Sequence, residues 1–191
     1  SAPAGTDGNA ATFTTKFYID PDGTISTPTL GTSNVRFGVN AGDAIVSGGN
    51  YNTVVGDEAG TAISTGDQNT AVGYQALATE NANNNNTAIG YQALKDQDGG
   101  DGNTAVGAFA LQDLTNASRS TAVGSYAGFS SQGADDVTFI GHNAGLFATT
   151  AVYSTFVGSK AGQGITGTKL TGNLNTAIGY NAGLLLQGTA T

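Results

Sequence analysis

Apolar and polar positions alternate along this chain on a fixed ruler. Nine glycines (Gly38, Gly56, Gly73, Gly90, Gly107, Gly124, Gly141, Gly158 and Gly179) are spaced 17 residues apart in six consecutive intervals, with 18 before them and 21 after. One position earlier stand Phe37, Val55, Val72, Ile89, Val106, Val123, Ile140, Val157 and Ile178. Three positions before the glycine Thr recurs at 53, 70, 87, 104, 121, 138, 155 and 176, with Val35 in the first copy. Three positions after it every copy has Ala: 41, 59, 76, 93, 110, 127, 144, 161 and 182. A fixed period of this length is the mark of a stacked repeat fold.

Each Asn-Thr-Ala-Val-Gly block is too short for a globular helix and is rich in β-branched residues, so it predicts a strand. Thr and Val/Ile then share one face, and the uniform aliphatics (Val55, Val72, Ile89, Val106, Val123, Ile140, Val157, Ile178) are expected to form the core column. The repeat glycines from Gly56 to Gly179 permit a sharp bend, and the Ala column lets another backbone approach. The Asn column (Asn52, Asn69, Asn86, Asn103, Asn175) predicts a stacked amide ladder. The fold class expected is all-β, a parallel β-solenoid of about nine 17-residue coils, stacked at roughly 4.8 Å into a rod on the order of 40 Å long.

A strand and hairpin precede it. Thr12–Ile19 is rich in β-branched and aromatic residues, Asp20-Pro21-Asp22-Gly23 is a turn, and Thr24–Thr27 returns. All three prolines lie before residue 29, and proline is kept out of sheet interiors. The expected division is an N-terminal extension and hairpin at 1–33 and a solenoid at 34–191.

Composition narrows the function classes. The chain has 191 residues, 6 Lys and Arg against 14 acids, a net charge of −8, and 10% charged residues. That balance argues against nucleic acid or an anionic membrane as partner, and no apolar run approaches the roughly 20 residues that span a bilayer. Cysteine and methionine are absent; the missing initiator predicts a processed protein or an excised fragment. Low charge with abundant Thr, Asn, Ser and Gly suits an extracellular, cell-surface or virion appendage.

Chemistry is sparse. His142 is the lone histidine and falls in a variable column with Tyr74, Tyr91, Ser125 and Tyr180; nucleophile–base pairs and metal sites need more than that. No enzyme is expected. The one candidate ion site is Asp96, Asp98 and Asp101 around Gly99-Gly100, where a hard cation such as calcium would find several oxygens beside a tight turn; Asp20 and Asp22 are a weaker pair. Asn85-Asn86-Thr87 and Asn116-Ala117-Ser118 match the glycosylation acceptor pattern. The Thr column is one rank sharing its face with the expected core, so it predicts an interior or interfacial ladder in preference to an ice-binding array.

Asn86-Thr87-Ala88-Ile89-Gly90-Tyr91-Gln92-Ala93-Leu94 and its copies resemble the head repeats of YadA-type trimeric autotransporter adhesins, and equally those of bacterial surface and phage tail-fibre proteins. Phe17–Ser26 is similar to the segment that often precedes such repeats in fibre proteins; the resemblance spans residues 17–187. It implies a left-handed β-roll, commonly trimeric, on an extracellular fibre.

Two functions follow as expectations. The first is a structural fibre subunit whose partners are copies of itself, stacked end to end through an apolar C-terminal edge (Leu184, Leu185, Leu186) and an N-terminal assembly strand (Phe13, Phe17, Tyr18, Ile19). The second is a homotrimeric adhesive head that meets a host-surface or glycan receptor through Tyr74, Tyr91, Tyr126 and Tyr180.

Overall fold

The structure, a computed structural model, describes residues 18–19, 25–26, 31–79, 81–165 and 170–184. Strand β1 (Tyr18–Ile19) pairs antiparallel with β2 (Ile25–Ser26), Ile19 facing Ile25. Nine further strands form one parallel sheet: β3 (Val35–Phe37), β4 (Thr53–Val55), β5 (Thr70–Val72), β6 (Thr87–Ile89), β7 (Thr104–Val106), β8 (Thr121–Val123), β9 (Thr138–Ile140), β10 (Thr155–Val157) and β11 (Thr176–Ile178). Sheet order equals chain order, so each strand bonds only its sequence neighbours. Thr stands beside Thr and aliphatic beside aliphatic through the register, for example Thr87↔Thr104 and Ile89↔Val106. This is the expected all-β solenoid. The longer interval before β11 leaves the register intact, since Thr155 still faces Thr176.

The ladder runs well beyond the strands. In the coil of Gly73, the Thr70 and Leu77 N–H groups donate forward to Asn86 and Ala93, while Gly73 and Gln75 donate back to Val55 and Asp57. The anchor glycines adopt φ of 121° to 139°, a region that side chains avoid. A Cβ on Gly56, Gly73, Gly90, Gly107, Gly124, Gly141 or Gly158 would lie 2.5 to 2.7 Å from the carbonyl of the next anchor glycine. Only hydrogen fits between the coils at that corner.

The interior reverses the expected phase. The column taken as core (Val55, Val72, Ile89, Val106, Val123, Ile140, Val157, Ile178) points outward with the threonines, and Ile89 and Ile140 are each 40% exposed. The residue between them points in: Val54, Ala71, Ala88, Ala105, Ala122, Phe139, Phe156 and Ala177 are all buried. A 17-residue coil encloses a narrow space, and small side chains fill it without strain. Uniform aliphatics on a strand face are equally what β propensity selects at outward positions.

Volume is matched across the coil. In three coils whose strand residue is Ala, the position four after the anchor glycine is a buried Leu: Ala71 with Leu77, Ala88 with Leu94, Ala105 with Leu111. It is Gly where the strand residue is larger: Val54 with Gly60, Phe139 with Gly145, Phe156 with Gly162. A Cβ on Gly145 or Gly162 would strike the Phe139 or Phe156 ring. The small pair Ala122 and Gly128 is filled from the next coil by Phe139, whose ring lies 2.7 Å from where a Gly128 Cβ would stand. Phe139 and Phe156 stack with centroids 5.3 Å apart. The three leucines hold φ of 48° to 54° to reach the core.

This compensation predicts a double-mutant cycle. Ala88→Phe overpacks its coil and lowers stability by about 3 kcal/mol, whereas Ala88→Phe with Leu94→Gly recreates the Phe139–Gly145 arrangement and recovers at least half of that loss. Urea unfolding of the four proteins measures it; a double variant no better than the sum of its singles refutes the pairing.

Candidate binding surfaces

Two ladders of polar side chains hold the coils in register. Four positions before the anchor glycine, in five successive coils, a buried side chain accepts the N–H of its counterpart one coil later. Asn34, Asn52, Asn69, Asn86 and Asn103 Oδ1 receive Asn52, Asn69, Asn86, Asn103 and Ser120 N–H at 2.8 to 3.0 Å. The same amides donate Nδ2 to a carbonyl of the next coil, as Asn52 to Gly66 and Asn103 to Ala117. The expected amide ladder is thus present, and it lies in the interior. Val137 occupies this column in the coil of Gly141 and is buried there.

Sequence reasoning missed a second ladder, six positions before the glycine. Here the N–H points the other way along the chain: Asn50 to Asp67 Oδ1, Asp67 to Asn84 Oδ1, Asn84 to Asp101 Oδ1, Asp101 to Ser118 Oγ and Ser118 to Asp135 Oδ1, at 2.6 to 3.1 Å. Short acceptor residues recurring at that offset were the available signal.

This places the candidate ion ligands. Asp101 Oδ1 accepts the Asn84 N–H at 2.6 Å as a rung of the second ladder. Asp96 lies 3.5 Å from Lys95 Nζ, and Asp98 is exposed with its own N–H donated to Thr115 O. Among the described residues no three His, Cys, Asp or Glu side chains gather as a metal-holding group. His142 is exposed.

On the surface, aromatic residues from neighbouring coils form a ribbon. Tyr74 stacks on Tyr91 at 5.4 Å, Tyr91 meets Phe109 edge-on at 5.1 Å, and Phe109 stacks on Tyr126 at 4.7 Å beside Phe129. Partial burial, and then the charge of Glu58, raise the Tyr74 phenol above its ordinary range. Of the tyrosines expected to make contacts, Tyr74, Tyr91 and Tyr126 belong to this ribbon, while Tyr180 stands apart on the last coil. Arg119 forks onto Asp136 at 2.7 and 2.8 Å, and that hydrogen bond holds the Asp136 carboxyl below its ordinary range.

The C-terminal edge differs from every inner coil. Among the described residues no further backbone covers Gly179, and an added Cβ there would meet only the Ala182 Cβ, at 4.0 Å. Leu174, Ile178 and Tyr180 are 78%, 69% and 72% exposed there. Leu184 is half-buried; Leu185 and Leu186 lie outside the described residues. Tyr18 and Ile19 of the expected assembly strand form β1, and Phe13 and Phe17 lie outside the described residues.

No family model, curated protein or solved structure matches this chain. Among the described residues no helix is long and apolar enough to cross a membrane.

Two outcomes test the inner ladder and the Arg119–Asp136 pair. Asn103→Ala strands the buried Ser120 N–H and Ala117 carbonyl, and at about 1–3 kcal/mol per orphaned group it lowers stability by about 3 kcal/mol in urea unfolding. An unchanged midpoint refutes the ladder's role. For Asp136 the folded pKa lies below the unfolded one, so its small contribution is complete above the unfolded value and lost as pH falls through the folded one. Carboxyl NMR titration places Asp136 below the ordinary aspartate range, and Arg119→Gln moves it back up.

Proposed function

We propose that this protein is a structural subunit of an extracellular fibre, built by stacking copies end to end, with no catalytic activity. The observation that carries this reading is the seat at Gly179. Each earlier anchor glycine presents a corner that the next coil's glycine carbonyl closes; at Gly179 that corner is open within the described residues, flanked by exposed Ile178 and Tyr180. In every inner coil from that of Gly56 onward the N–H of the strand threonine donates to the next coil, as Thr155 does to Asn175. Thr176 carries the same group at the end of the sheet. An exposed strand edge is a template for another chain.

A second reading, a receptor-binding head on a surface adhesin or tail fibre, is favoured by the exposed aromatic ribbon of Tyr74, Tyr91 and Tyr126. Its likeness to YadA-type head repeats makes a homotrimer the form to expect.

Electron microscopy with light scattering on the purified chain tests the proposal. Unbranched fibres are expected, and Thr176→Pro, which removes a donor at the growing edge without touching an inner coil, stops growth while circular dichroism stays unchanged. Discrete particles of three chain masses would favour the head instead.

A further inference from the structure

The outward face of the sheet is its most regular surface. Two ranks run its length: Thr53, Thr70, Thr87, Thr104, Thr121, Thr138, Thr155 and Thr176, beside the aliphatic rank from Val55 to Ile178. No charged residue interrupts either rank. The eight hydroxyls make no hydrogen bond within the described residues, so the interior ladder expected of them is absent and they face solvent. β-Branched side chains are stiff at χ1, which keeps methyls and hydroxyls in one orientation from rung to rung. Both ranks survive the 21-residue interval, while the neighbouring column after the glycine varies freely through Asp57, Tyr74, Ala108, Ser125 and His142.

The dimensions discriminate between occupants. Nine three-residue strands at about 4.8 Å per rung and about 3.3 Å per residue make a face of roughly 400 Å². A stable protein interface needs about 800 Å² per partner and gains nothing from translational repetition. A crystalline partner does gain from it. In a tetrahedral water network with O···O of about 2.8 Å, second-neighbour oxygens lie about 4.6 Å apart, within a few tenths of an ångström of the rung spacing. Water over methyl groups bonds to other water and is held in sheets, and each Thr hydroxyl can both donate and accept to pin such a layer.

We propose that this Thr/Val–Ile face is an ice-binding surface. Its ligand is the ordered water of an ice crystal plane, engaged through the rung spacing along the stack. The face meets the C-terminal edge only at Thr176 and Ile178, and the inference does not rest on the fibre reading.

The test is partition of the purified chain into slowly frozen ice, with recrystallisation inhibition as a second readout. The wild-type chain should enter ice several-fold more than a globular protein of similar mass. Thr104→Glu, an outward substitution in the middle of the face, should reduce incorporation to that control level, as should Thr87→Tyr, with unchanged circular dichroism. Asp98→Asn in an exposed loop should leave incorporation unaltered. Exclusion of the wild-type chain from ice overturns the proposal, as does equal incorporation of the folded Thr104→Glu or Thr87→Tyr variant. A discrete dimer or trimer excluded from ice also overturns it, and assigns the face to contacts between copies.

Discussion

The fold depends on a backbone contact. At the corner after each strand the glycine takes φ near 130°, and the carbonyl of the next coil's glycine settles where a β-carbon would be. That contact brings successive coils close enough for their N–H and C=O groups to bond around most of the perimeter. A coil that drifted in outline would lose the contact and its hydrogen bonds together. Uniform coils are therefore a condition of the glycine corner, and the extra residues before Gly179 do not displace the register of β11. Stability in such a stack is nearest-neighbour: no coil buries its own apolar face, and each is completed by the coils beside it.

Within that outline the interior is tuned in pairs. The strand residue and the residue four past the glycine share a fixed space, so Ala with Leu and Phe with Gly are alternative solutions to one volume constraint. The leucines accept left-handed φ for it, a conformation costing of order 1 kcal/mol or more for a residue with a β-carbon. Buried apolar volume compensates for this local strain. The Asn ladder completes the interior by satisfying backbone groups that a wholly apolar core would leave orphaned.

The period, the strands, the parallel stacking and the glycine corner were all legible in the residues, because each follows from spacing or from glycine's unique φ range. The inward phase was not. Alternation divides a three-residue strand into two faces without saying which one is enclosed, and the uniform Val/Ile rank resembled a core. The signal that decides it was present in the swap of Ala71 and Leu77 for Phe139 and Gly145, since only residues sharing an enclosed space need to compensate. Asp101 carries a second role that spacing alone did not show. Read as a candidate ion ligand beside Asp96 and Asp98, it is also one rung of a ladder whose neighbouring members are Asn84 and Ser118, and carboxylate, amide and hydroxyl all serve there because the ladder needs only an acceptor.

The two ladders also give the rod a polarity. Along the inner one, N–H groups of later coils donate to earlier side chains; along the outer one, earlier coils donate to later side chains. The two ends of the stack therefore present different sets of groups. Among the described residues the C-terminal end carries the groups that each inner coil offers to its successor, as the Thr176 N–H does. Two identical ends brought together could pair their edge strands only antiparallel, which breaks the parallel order of the sheet. A head-to-tail approach matches them, and a head-to-tail contact with little rotation between copies does not close into a ring. A rod with this polarity is compatible with the open filament proposed above.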